Sequence, residues 1–174
     1  MFEVGEYVVY GSKGVCQITD ITHIDISGAD KERLYYVLAP LGDTNAKIYA
    51  PTDHQKITMR KLITKEEADK LIHDLPEIEM LWIPNDKQRE ATYKEAMRTC
   101  DYRAWVSIVK TLYVRREERI SQGKKITALD ERYMKVAENE LYSELSLSLG
   151  VPKEDMERYI KRNLQTEQCY NTSI

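Results

Sequence analysis

The feature that most constrains the fold is a change in the periodicity of the sequence at about residue 62. From residue 6 to residue 58, short runs rich in β-branched and aromatic residues alternate with turn-forming residues, as is typical of strands. No segment here is long enough for the helical crossover of a βαβ unit. The pattern predicts a small barrel or a strongly bent sheet, and an edge left open would offer pairing groups to another chain. The predicted strands are Tyr7–Tyr10, Val15–Ile21, Arg33–Leu38, Lys47–Ala50 and Lys56–Met59, with turns at 11–14, 27–30 and 40–43.

From Thr64 onward the apolar residues recur with a helical period. Capping residues and breakers divide this region: Thr64, Asn85 and Asp101 are suited to begin helices, Thr127 with Asp130 and Glu131 resembles a capping box, and Gly150 is suited to end a helix. The predicted helices span 64–73, 86–98, 101–119, 127–150 and 152–163.

The fold class is therefore α+β, with a β module followed by an all-α helical bundle. The predicted boundaries are 1–62 for the β module, 63–84 for a helix and linker, 85–164 for the helical domain and 165–174 for a loose, polar tail.

Composition excludes several classes of protein. The longest apolar runs fall well short of a membrane-spanning helix, and the N-terminal residues do not resemble a signal peptide. Cys16, Cys100 and Cys169 are odd in number and far apart, which fits neither a disulfide framework nor a zinc site. We therefore expect a cytoplasmic protein that does not associate with a membrane.

The sequence gives no support for catalysis. His23, His54 and His73 fall in three different local elements without a partner at a diagnostic spacing. Neither a glycine-rich nucleotide-binding motif nor a set of metal ligands at a characteristic spacing is present. We expect no enzymatic activity, no catalytic residues, no cofactor and no metal.

Charge is distributed unevenly along the chain. The whole chain carries −3, but residues 1–83 carry −5, and residues 87–135 hold 13 basic and 7 acidic side chains. Clustered Lys and Arg neutralise nucleic-acid phosphates, although these charges would equally suit a solvated helical surface. Because acidic residues are interleaved, we expect weak phosphate contacts that do not depend on base sequence. The candidate DNA-binding residues are Lys87, Arg89, Lys94, Arg98, Arg115, Arg116, Arg119, Lys124 and Lys125.

Trp82 adds a second candidate feature, just before the helix that Asn85 opens. An apolar wedge beside a basic helix can hold distorted DNA from the minor groove. The alternative is that Trp82 fills a seam between the β module and the bundle. Trp105, by contrast, lies on an apolar helical stripe and is expected in the core.

Several motifs resemble the CarD/CdnL family of bacterial transcription regulators, over about residues 1–160. The opening Val4–Tyr10, followed by Gly14–Ile18, is also similar to the polymerase-binding module of transcription-repair coupling factor, and Ile48–Pro51, Val109–Arg116 and Asp130–Tyr133 extend the resemblance. It implies a Tudor-like β barrel that docks on the β subunit of RNA polymerase. It also implies a helical domain that contacts promoter DNA at the upstream edge of the melted bubble and stabilises the open complex without reading an operator.

The family's docking positions map onto Ile24 and Tyr49, neither of which is basic. Charge pairing would then come from a neighbour such as Lys47, or the contact is more apolar. The backbone edge around Lys47–Pro51 can pair with another strand whatever its side chains. The predicted polymerase-binding residues are Ile24, Lys47, Ile48, Tyr49, Ala50 and Pro51.

The family's wedge tryptophan precedes its first basic helix, and an alignment without gaps puts Asp86 at that position. Either Trp82 takes the role after a local shift, or this protein lacks a wedge, whereas Arg89 matches a basic position of the same motif. The resemblance thus predicts a transcription regulator with RNA polymerase and promoter DNA as partners, and we expect it to be monomeric. The alternative is a protein-interaction adaptor whose helices bind another protein.

Overall fold

The structure is a computed structural model that describes residues 1–25, 31–43, 45–53 and 57–171, with backbone alone for 165–171. The chain divides into two compact units, Met1–Leu62 and Ile63–Ile174. The first is a β-sheet and the second is helical. The α+β class expected from the sequence is confirmed.

The first unit is a five-stranded antiparallel sheet formed by β1 (Tyr7–Tyr10), β2 (Val15–His23), β3 (Leu34–Pro40), β4 (Ile48–Pro51) and β5 (Met59–Lys61). The strand order is β4-β3-β2-β1-β5. β4 and β5 are therefore edge strands within the described residues, and the pairing does not close the predicted barrel. The fifth strand lies later than predicted, while the predicted turn at 27–30 and Lys56 fall outside the described residues.

Alternation along the strands places one apolar face in the core of the sheet. Cross-strand partners such as Val8 and Cys16, or Ile18 and Leu38, point to the same face and are completely buried. Tyr36 on β3 and Ala50 on β4 extend this core to the edge of the sheet. The burial of alternate residues fixes the register of β4, because a slip by one residue would expose Ala50 and bury Tyr49.

The second unit contains α1 (Lys65–Asp74), α2 (Arg89–Arg98), α3 (Tyr102–Ser121), α4 (Ala128–Leu149) and α5 (Met156–Asn171). The Thr64, Asp101 and Thr127 N-caps and the left-handed Gly150 lie where the sequence placed them. The full capping box is found at Thr64 with Glu67, whereas Thr127, where a capping box was expected, accepts only the hydrogen bond from the Asp130 N–H. None of the helices in the described part of the chain is long and apolar enough to cross a membrane.

Three predicted helix boundaries are wrong. α5 begins at Met156 rather than at residue 152, because Pro152 precedes a short 3-10 turn at Lys153–Asp155 instead of opening the α-helix. α2 begins at Arg89 rather than Asp86, because Asn85 Oδ1 accepts a hydrogen bond from the Gln88 N–H and caps a turn instead of the helix. α5 continues through Asn171, into the tail expected to be loose, because this stretch lacks Gly and Pro and contains good helix formers.

The core of the helical unit is centred on α3. Trp105, Ile108 and Leu112 are completely buried, as the apolar stripe predicted, and Leu141 and Leu145 of α4 are also buried. Tyr113 of α3 and Val136 of α4 are exposed and lie outside this core.

Candidate functional site

The β4 edge is the first candidate site. Ile48–Pro51 pairs with β3 on one side, and no other described strand pairs with its opposite side. Its outward backbone groups can therefore accept a further strand. Ala50 is completely buried in the sheet core, so it can offer a partner only its backbone, whereas the Tyr49 side chain is exposed.

A surface depression of about 560 Å³ lies beside this edge. It brings together three of the predicted polymerase-binding residues, Ile24, Lys47 and Tyr49. Asp20 and Asp25 also line it, so the depression presents both charge signs around an aromatic side chain. The remaining predicted residues, Ile48 and Pro51, are partly buried in β4.

Trp82 is the second candidate site, and its side chain is 80% exposed. The chain that carries it is anchored to α3 within the helical unit. The Leu81 N–H donates to Thr111 Oγ1 at 2.8 Å, and Lys110 Nζ donates to the carbonyls of Leu75 and Pro76 at 2.9 and 3.1 Å and to that of Ile78. These contacts hold an exposed tryptophan on a fixed backbone.

A buried carboxylate, Asp130, lies where α2, α3 and α4 meet. The Tyr93 hydroxyl donates to Asp130 Oδ1 at 3.1 Å. Arg89 Nε lies 3.3 Å from Oδ1, and Arg115 Nε lies 3.6 Å from Oδ2. Burial raises the pKa of Tyr93, and the negative charge of Asp130 adds to the shift. Two arginines thus neutralise a carboxylate that is completely buried.

The same two arginines also contact a second carboxylate, that of Asp86. Arg89 Nη1 and Arg115 Nη2 lie 3.2 and 3.3 Å from Asp86 Oδ1. Asp86 is 78% exposed, whereas the Arg89 and Arg115 side chains are only 13% and 27% exposed. Two of the five predicted DNA-contact arginines, Arg89 and Arg115, therefore lie between two carboxylates.

Most of the other basic side chains also have local partners. Lys94 and Arg132 pair with Glu90, and Arg98 pairs with Glu95. Arg119 donates to the carbonyl of Lys125 at 2.7 Å. Among the candidates, four are exposed and have no carboxylate of a described residue within 4 Å: Lys87, Arg116, Lys124 and Lys125.

Three of these four lie together. Arg116, Lys124 and Lys125 line a depression of about 740 Å³ with the exposed Tyr113 and Ile120. Acidic residues share the depression: burial and the charge of Glu157 raise the pKa of Glu138, and Arg116 partly opposes that shift. The depression is therefore mixed in charge rather than strongly basic.

The three histidines, which we expect to have no catalytic role, are the next residues to place. His23 ends β2 and His73 lies in the last turn of α1, while His54 is outside the described residues. In the ranges that the structure describes, no group of three or more His, Cys, Asp or Glu side chains is arranged to hold a metal ion.

Sequence reasoning missed the role of Asp130. It assigned this residue to a capping box, and the Thr127 side chain does accept from the Asp130 N–H at 3.2 Å. The Asp130 side chain, however, turns inward to the arginines. The sequence signal that could have indicated this buried role is an acidic residue in the first turn of a helix whose apolar residues begin at the same turn. The partners of Asp130, Arg115 and Arg89, are however 15 and 41 residues away in sequence.

The fold defines a class of protein in which a small antiparallel β module precedes a helical unit. Residues 2–63 match the family model of the CarD-like/TRCF RID domain. The N-terminal sheet is thus a CarD-like RNA polymerase-interacting module, as the resemblance implied. The match covers the first unit, and residues 64–174 lie outside it. A search of curated proteins found no match to the chain.

Proposed function

We propose that this protein is a transcription regulator that docks on the β subunit of RNA polymerase through its sheet. Its helical unit contacts promoter DNA without base specificity near the upstream edge of the bubble, and so alters the stability of the open complex. The protein acts in the cytoplasm as a monomeric binding protein, not as an enzyme.

The open β4 edge in a CarD-like domain is the observation that carries this proposal. An exposed strand edge offers backbone hydrogen bonds to a strand of the polymerase, and the neighbouring Tyr49 and Lys47 side chains offer specificity. Exposed aromatic residues at the centre of a patch frequently dominate binding energy. Tyr49 therefore becomes the side chain with the largest expected effect on docking.

The docking experiment measures the affinity of the full chain for purified bacterial core RNA polymerase. Tyr49→Asp is expected to weaken binding at least about fivefold, because it introduces a charge where an aromatic side chain should be buried. Leu41→Asp is the matched control, since Leu41 is an exposed apolar residue outside β4 and outside the depression. Equal affinities for both variants and the unmodified chain would refute docking at this edge.

The exposed Trp82 supports the DNA part of the proposal. A tryptophan on an anchored backbone can stack against a distorted base step without a large loss of conformational freedom. Trp82→Ala should shorten the lifetime of open promoter complexes while leaving the stability of the free protein unchanged within about 0.5 kcal/mol. Met80→Ala, at another exposed apolar residue of the same segment, is the control. An unchanged lifetime would remove the wedge from the proposal.

A protein-interaction adaptor is the second candidate function. Local pairing of most basic side chains and the exposed apolar residues of the 740 Å³ depression favour it. Charge reversal of Arg116, Lys124 and Lys125 discriminates the two functions, because all three are exposed and can change without disturbing the core. A loss of salt-dependent binding to promoter DNA in the polymerase complex supports the regulator, and unchanged binding supports the adaptor.

A further inference from the structure

Arg89 and Arg115 are held in an unusual arrangement for two like charges. They come from α2 and α3, and their Nε atoms lie 3.3 and 3.6 Å from the carboxylate oxygens of the buried Asp130 of α4, as ion-pair contacts without hydrogen-bond geometry. One Nη of each guanidinium group donates a hydrogen bond to a common point. Asp86 Oδ1 occupies that point, at 3.2 and 3.3 Å.

A point shared by two arginine Nη groups is suited to an oxyanion. Arginine donors match the oxygens of carboxylate and phosphate alike, and a phosphate offers more acceptor oxygens than a carboxylate does. The present occupant belongs to a short turn, residues 86–88, outside any helix, and its side chain is largely exposed. The side chain can therefore leave the arginines without unfolding a helix, while Asp130 continues to hold them.

We propose that Arg89 and Arg115 form a binding site for a backbone phosphate of nucleic acid, and that Asp86 occupies this site and weakens binding in the free protein. A phosphate displaces the Asp86 carboxylate from the two Nη groups. This inference rests on the proposed contact between the helical unit and DNA, and it assigns to Asp86 the role of an internal competitor.

The test compares variants of the full chain for affinity to a DNA duplex of arbitrary sequence over a series of salt concentrations. Asp86→Asn should bind roughly three- to fivefold more tightly than the unmodified chain, because the competing ion pair is lost. Its log affinity should also fall more steeply with log salt, by about 0.9, if one more phosphate is contacted. Asp86→Glu, which retains a competing carboxylate, should gain nothing.

Glu79→Gln is the matched control for net charge. It removes one negative charge from an exposed residue of the same connecting segment, outside the arginine pair. If Glu79→Gln strengthens DNA binding as much as Asp86→Asn does, the gain reflects overall charge, and the proposed site is wrong. A weaker affinity of Asp86→Asn would also overturn the proposal, since Asp86 would then assist DNA binding.

Inorganic phosphate separates the anion site from its biological ligand. Added phosphate at constant ionic strength should raise the melting temperature of Asp86→Asn more than that of Glu79→Gln. A phosphate effect without a gain in DNA affinity would show a site for free phosphate and overturn the nucleic-acid assignment. Neither measurement uses RNA polymerase, so failure of the docking proposal remains distinguishable from failure of this one.

Discussion

Replacing Asp130 by Asn tests whether the buried ion network holds the helical unit together. The substitution removes the negative charge while leaving the volume and the Thr127 cap, which accepts from the backbone N–H of residue 130. Arg89 and Arg115 then lose the carboxylate that compensates them in a largely buried position.

The expected loss of stability follows from the cost of an uncompensated buried charge. Breaking a buried pair by removing one partner costs about 3–5 kcal/mol. The lower end applies here, because Arg115 is 27% exposed and Asp86 still contacts both arginines. We therefore expect a loss of about 3 kcal/mol in the free energy of unfolding of the helical unit, or a urea midpoint lower by about 2 M at an m-value of about 1.5 kcal/mol/M.

Tryptophan fluorescence during urea unfolding measures this loss selectively. The chain has two tryptophans, Trp82 and Trp105, and both lie in the helical unit. Trp105 is completely buried and Trp82 largely exposed, so the spectral change on unfolding comes mainly from Trp105. The signal therefore follows the helical unit even if the sheet unfolds separately.

Glu131→Gln is the control, because Glu131 is the next residue and forms only a surface pair with Lys135 at 3.1 Å. It should cost no more than about 0.5–1 kcal/mol. If Asp130→Asn destabilises the unit no more than this control, the arginines are adequately solvated without Asp130, and the reasoning from burial fails.

Two further substitutions test buried polar groups of the same unit. Glu140→Gln should raise the melting temperature at pH 7, because burial raises the pKa of Glu140 and so disfavours its charged form in the folded protein. The stability linked to this group is fully present below the ordinary glutamate pKa of about 4.3 and is lost as pH rises through the raised pKa. The increase in melting temperature caused by the substitution should therefore vanish near pH 4 in a calorimetric pH series. Lys110→Met should lower the free energy of unfolding by about 1.5–3 kcal/mol in urea titrations, because three backbone carbonyls after α1 lose a charged donor, and an unchanged midpoint would contradict this.

Local signals in the sequence were sufficient to predict most elements. The Thr64 capping box requires only Glu67 three residues later, and the end of α4 requires only Gly150 in a left-handed conformation. The strands were predicted because their alternating residues pack on one face. Each of these signals depends on neighbours within a few residues, so no knowledge of the tertiary structure was needed.

The ion pairs could not be predicted in the same way. Asp86, Arg89, Arg115 and Asp130 meet only because three helices converge, and a count of charges between residues 87 and 135 cannot show that convergence. The sequence therefore offered Arg89 as a DNA-contact candidate, whereas in the free protein its side chain is paired with two carboxylates. The edge around Lys47–Pro51 was expected from the resemblance, but the failure of the sheet to close into a barrel was not, because whether β4 meets β5 depends on the curvature of the whole sheet.

Most basic side chains of the helical unit pair with other groups of the protein, so we expect its contact with DNA to be weak. A weak contact can still function where the local concentration of DNA is high. Non-specific DNA binding has dissociation constants of about 10⁻⁴–10⁻⁶ M at physiological salt, and pairing within the helical unit should place this protein at the weak end. Once the sheet is docked on a polymerase that already holds the promoter, however, the helical unit experiences DNA at an effective concentration on the order of millimolar. A contact with a dissociation constant near 10⁻⁴ M would then be occupied about nine-tenths of the time. The helical unit therefore needs few unpaired cations, and its contribution should be measured in the polymerase–promoter complex, where the local DNA concentration is high enough to reveal it.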